Sequence, residues 1–73
     1  MNSSTAYLAV VYHGDGRISE FVDEYSSNVV SKACNAAEEY EEVRLYDILY
    51  DSLGDISIQD LVAVINVPMK DQE

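Results

Sequence analysis

The feature that most constrains the fold of this chain is an apolar run followed directly by a turn sequence. Residues 7–12 (YLAVVY) are apolar at every position, which is typical of a strand covered on both faces or lying inside a sheet. The turn sequence HGDG follows at positions 13–16, and its glycines can take positive φ. Residues 17–23 also fit helical spacing, but a strand that ends in such a turn favours a hairpin partner. We therefore predict a second strand at 17–23.

A main helix is predicted next. The helix-capping residues Ser26, Ser27 and Asn28 favour a helix start at this point. An apolar stripe then recurs at helical spacing, with polar residues on the other face; its members are Val29, Val30, Ala33, Ala37 and Tyr40. We expect the last turn of this helix to carry the glutamates that follow.

Residues 43–50 allow two interpretations. As a helix they would align Leu45, Leu49 and Leu53 at four-residue spacing, with Gly54 as a stop. As a strand they would place Tyr46, Ile48 and Tyr50 on one face. β-favouring residues at the start of the segment, and the long helix before it, favour the strand.

The C-terminal segment predicts a short second helix. Ile58, Leu61, Val62 and Ile65 recur at helical spacing, and Ser57 with Asp60 resembles a capping box. The ends, residues 1–5 and 69–73, are expected to be loose. The sequence thus predicts a single α+β domain over residues 1–73 with the order ββαβα: a β-hairpin, a main helix, a third strand and a short C-terminal helix.

Size and cysteine content indicate the expected stability and cellular compartment of the protein. A domain of 73 residues buries roughly 60% of its unfolded surface, so modest stability is expected. The single cysteine, Cys34, cannot form an internal disulfide, which is typical of a reducing compartment. No apolar run reaches the roughly 20 residues that span a bilayer, and no signal sequence is recognisable. We expect a cytoplasmic protein.

The charge is strongly negative and unevenly distributed. Fourteen acids face four Lys and Arg residues, for a net charge of −10. Positions 38–60 hold eight of the acids and one base, so this segment alone carries −7. Such a field repels nucleic acid and anionic membranes, and it attracts basic protein surfaces. We therefore expect neither direct nucleic-acid binding nor membrane binding.

The acids at the end of the main helix are the first candidate site. Carboxylates in a last turn oppose the helix dipole, and such breaches of local consistency often mark functional surface. Tyrosines beside aspartates could add anchors that stack on and pair with arginine. The candidate partner-binding residues are Glu38, Glu39, Glu41, Glu42, Tyr46, Asp47, Tyr50 and Asp51. The alternative is that the acids form a solvated face and the rings cover a small core.

No pattern indicates catalysis, a metal or a cofactor. His13 stands beside Asp15 without a second His, and Cys34 has only Lys32 nearby as a cation. Asp47, Asp51 and Asp55 recur every four residues, which is unlike a calcium loop. We expect no enzyme activity, no metal and no cofactor.

The leading functional expectation is a binding protein that docks on a basic, nucleic-acid-handling surface of a partner protein and inhibits it. In size, charge and lack of catalytic motifs the chain resembles small phage-encoded inhibitors, such as anti-CRISPR and antirestriction proteins, some of which mimic DNA. This resemblance covers overall character and assigns no residue a role. If the chain is phage-encoded, the expected compartment is the host cytoplasm. The alternative is an assembly module, a homodimer or subunit, which pairs through apolar surface on the hairpin edge and residues 56–65.

Overall fold

The computed structural model describes residues 3–67. It consists of β1 (Ser3–Tyr12), β2 (Ile18–Asp23), α1 (Ser26–Ala36), β3 (Glu42–Asp51) and β4 (Ile56–Asn66). The strands form one antiparallel sheet in the order β2-β1-β3-β4, so the apolar run at 7–12 occupies a central strand. The predicted α+β class, the hairpin and the strand at 43–50 are confirmed.

The core lies between α1 and one face of the sheet. Val29 and Ala33 on the helix pack against alternate residues of the central strands, among them Val11 and Val43, and all four side chains are inaccessible to solvent. The helix covers β1 and β2 and touches β3, whereas β4 packs along β3. The other face of the sheet has no covering element among residues 3–67. We call it the open face.

The predicted C-terminal helix is wrong, because residues 56–66 form strand β4. Its register slips twice against β3, so Ile58, Leu61 and Val64 pair with alternate residues of β3 despite being three residues apart. Each slip adds one residue to β4, as a β-bulge does, and thereby turns the normal strand spacing of two into three. The bulges therefore imitate the helical spacing in the sequence. Many of the side chains are β-branched, which favours the strand.

The main helix starts as predicted but ends earlier. Its last residue is Ala36, and the capping residue Ala37 is already extended. Tyr40 takes a positive φ of 65° in the connection that follows. The predicted placement of the glutamates in the last helical turn is therefore wrong, because the residues after position 37 lie outside the helix and do not oppose its dipole from within it.

The predicted loose ends are only partly described. Residues 3–5 belong to β1, where they pair with residues 49–51 of β3. The tail at 69–73 lies outside the described residues.

Candidate interaction surface

The open face combines a buried apolar centre with a wide exposed apolar surround. Its centre consists of Ala6, Leu8, Val10 and Ile48, covered in part by Tyr46 and Tyr50. Exposed apolar side chains from the outer strands extend this surface on both sides, because each pairs in register with an open-face residue of β1 or β3; they are Ile18 and Val22 on β2 and Ile56, Ile58, Leu61 and Val64 on β4. A face of this kind exceeds the scattered apolar residues that monomer surfaces carry.

Few charges interrupt this face. The register places Glu20 opposite Val10 on one side, and Arg44 opposite Val10 on the other. Arg44 forms an ion pair with Glu42, and its guanidinium carbon lies 5.2 Å from the centre of the Tyr12 ring. The hydrogen bonds that Arg44 donates to Glu42 and Tyr46 raise the pKa of Arg44, so this group stays charged. Depletion of charge at the centre with Tyr and Arg present is typical of protein interfaces.

Three of the predicted site residues belong to the open face. Tyr46 and Tyr50 alternate with Ile48 on β3 and pack against the buried centre. Glu42 lies at the end of the same strand, opposite Tyr12. The two tyrosines therefore act both as core cover and as exposed aromatic surface.

The remaining predicted site residues lie elsewhere. Asp47 pairs with Tyr7 and Asp60, on the face that carries the helix, and accepts a hydrogen bond from the Asp60 amide at 2.9 Å. Asp51 accepts from the amides of residues 53 and 55 and so shapes the β3–β4 turn. Glu38 and Glu39 are exposed in the connection after the helix. The eight residues are thus divided among both faces of the sheet and two connections.

Glu41 has a structural environment that the sequence did not reveal. One carboxylate oxygen accepts from the Glu38 amide and contacts His13 Nδ1, both at 2.8 Å, and the other accepts from the Gly14 amide at 2.9 Å. These amide donors, Glu38 before Gly14, and then His13 lower the pKa of Glu41. The side chains of His13 and Glu41 are only 5% and 12% exposed. Glu41 therefore fastens the β1–β2 turn to the connection before β3.

The same histidine contacts a hydroxyl with its second nitrogen. His13 Nε2 lies 2.8 Å from Ser19 Oγ, so Ser19, His13 and Glu41 stand in the order of a hydrolase triad. A triad also needs donors for an oxyanion and room for a substrate. An open cavity of about 440 Å³ lies away from this group, between β1, β3 and β4 around Thr5, Asp47 and Gln59. We interpret the three residues as a structural clamp.

The remaining chemistry of the described part is sparse. Across residues 3–67 no three His, Cys, Asp or Glu side chains are arranged to hold a metal ion. No helix in that range combines the length and apolar character needed to cross a bilayer. Comparison with protein-family models, curated proteins and solved structures finds no match to this chain.

Proposed function

We propose that this chain is a non-enzymatic assembly module that associates with a second copy of itself through the open face. The observation that carries the proposal is the exposed apolar surface that β2 and β4 add on either side of a buried centre. Isolated apolar residues need no partner, but a face shared by four strands is the surface that sandwich proteins bury.

The size of the face fits a stable interface. The four strands have 10, 6, 10 and 11 residues. With a rise of about 3.3 Å per residue and a spacing of about 4.8 Å, they give a projected face of roughly 600 Å². The accessible area of projecting side chains exceeds this projection, and standard interfaces bury about 800 Å² per partner. Two such faces stacked about 10 Å apart would form a two-sheet sandwich with one helix on each outer side.

Docking on a basic partner is the second candidate function. It is favoured because, in the described part of the chain, the few basic side chains are already paired and most carboxylates are not. Within residues 3–67 each Lys or Arg is paired with an acid: Arg17 with Asp15, Lys32 with Asp23 and Arg44 with Glu42. Most other carboxylates of this range keep an uncompensated charge, so the chain retains the attraction to cationic grooves that its composition predicts. Inhibition of a nucleic-acid-handling protein remains the form this function would take.

Sedimentation at several protein and salt concentrations distinguishes self-association from docking on a basic partner. Self-association predicts a species of twice 8.2 kDa whose dissociation constant falls as salt rises from about 0.05 to 0.5 M, because salt screens repulsion between copies and leaves apolar burial intact. A monomer at every concentration would overturn this proposal. If that monomer captured a nucleic-acid enzyme from a candidate host lysate at low salt alone, docking on a basic partner would replace it.

A further inference from the structure

Two opposite charges stand in one row of the open face. The paired residues of that row are Glu20 on β2, Val10 on β1, Arg44 on β3 and Val64 on β4. Glu20 is exposed and forms no ion pair within residues 3–67. Arg44 pairs with Glu42 of its own chain through Nε and lies over Tyr12, so it is held across the face. Its guanidinium carries five N–H donors and can bind a second carboxylate through its terminal nitrogens. One acid and one base thus flank the apolar centre at the same height along the strands.

A symmetric dimer needs a surface that is complementary to itself. A two-fold axis parallel to the strands, between β1 and β3, stacks β1 over the partner's β3 and β2 over the partner's β4. Because this axis preserves height along the strands, residues of one row meet residues of the same row. Across the sheet, the backbone of Glu20 then lies one strand spacing, roughly 4.8 Å, from the β1 position that the partner's Arg44 faces. The two long side chains would meet in the space of about 10 Å between the stacked sheets.

We infer that Glu20 and Arg44 set the register of a face-to-face homodimer, each carboxylate pairing with the guanidinium of the other copy. This inference rests on the proposed self-association and adds the arrangement of the two copies. Charge pairs at an interface fix register and exclude wrong arrangements more than they add affinity. Since the symmetry repeats the contact, the dimer contains two such pairs.

Charge exchange tests this arrangement directly. Glu20→Arg alone and Arg44→Glu alone place like charges opposite each other, and each should raise the homodimer dissociation constant by about tenfold or more. A mixture of the two variants restores both pairs, so native mass spectrometry should show the mixed dimer in excess of either homodimer. The double variant E20R/R44E should again form a homodimer. Glu39→Arg changes the net charge as E20R does, at an exposed position in the connection after the helix, and should behave as wild type.

Three outcomes decide the matter. Preferred pairing of the two single variants supports the arrangement. The proposed register is wrong if both single variants dimerise as tightly as wild type. It is also wrong if both variants are folded by thermal melts and their mixture shows no excess of the mixed dimer. In either case the proposed self-association through the open face is unaffected. If the wild-type chain is monomeric throughout, the proposed function itself fails and the arrangement falls with it.

Discussion

The energetic contribution of β4 to self-association can be worked out from its exposed side chains. Ile58 and Leu61 are 57% and 50% exposed in the single chain. Full burial of such a side chain contributes about 1.5–3 kcal/mol, so burying the exposed half contributes about 0.7–1.5 kcal/mol each. A symmetric dimer buries both residues twice, which gives about 3–6 kcal/mol in total.

Replacing Ile58 and Leu61 with serine should therefore weaken the dimer by roughly 100- to 10,000-fold in dissociation constant. The measurement is sedimentation velocity over a dilution series, with circular dichroism to show that the variant is folded at the concentrations used. Tyr25→Ser is the matched control, because Tyr25 is 64% exposed and precedes the helix on the covered side. The control should dimerise as wild type.

A folded double variant that keeps the wild-type dissociation constant would show that β4 does not carry the contact. If Tyr25→Ser weakens the dimer as much, the covered side carries the contact instead. Loss of folding in the double variant is separated from loss of contact by repeating the series with Ile58→Ser alone, for which the expected weakening is roughly 10- to 100-fold.

The remaining predictions concern the single chain. Glu41→Gln should lower Tm, because the amide NH₂ of glutamine would face N–H groups that now donate to the carboxylate. Glu39→Gln should leave Tm unchanged. Equal Tm values for the two variants would show that Glu41 does not stabilise the fold. The pKa of Glu41 in the folded chain lies below its ordinary 4.5. Its contribution to stability is therefore present above pH 4.5 and is lost as pH falls through the lowered pKa. Thermal melts at several pH values should show that Tm falls more steeply in acid for wild type than for Glu41→Gln. Ile48→Ala removes a side chain that is 1% exposed and should cost about 2–5 kcal/mol in urea unfolding, and a cost below about 1 kcal/mol would show that the open face collapses readily around the change.

Local patterns in the sequence predicted most of the fold. The apolar run at 7–12 and the glycine turn after it specify β1 and β2 without distant information, and Gly16 takes the positive φ of 94° that such a turn allows. The alternation of Tyr46, Ile48 and Tyr50 specified β3. The error in β4 has a physical cause, because a bulge changes the spacing between residues on one face and leaves no local sign of doing so.

The site was less accessible to sequence reasoning. Glu41 was grouped with Glu38 and Glu39 as docking surface, yet it contacts a histidine 28 positions away. No short-range pattern announces such a contact, since the strand register must first bring the two connections together. The acidic cluster in the sequence is likewise dispersed, because adjacent residues of a strand such as Tyr46 and Asp47 point to opposite faces. The apolar residues of 56–65 were considered for assembly, and only the sheet reveals that β2 shares their face.

The two irregularities in β4 bear on how far assembly could proceed. An outermost strand of eleven residues with so many branched side chains would ordinarily recruit further strands sideways, and repeated recruitment leads to fibrils. The bulges interrupt the regular row of amide and carbonyl groups along the outer edge of β4, so a regular strand pairs poorly with that edge. The irregular edge thus disfavours repeated lateral addition of strands, and the proposed face-to-face stacking would end with a single pair of chains.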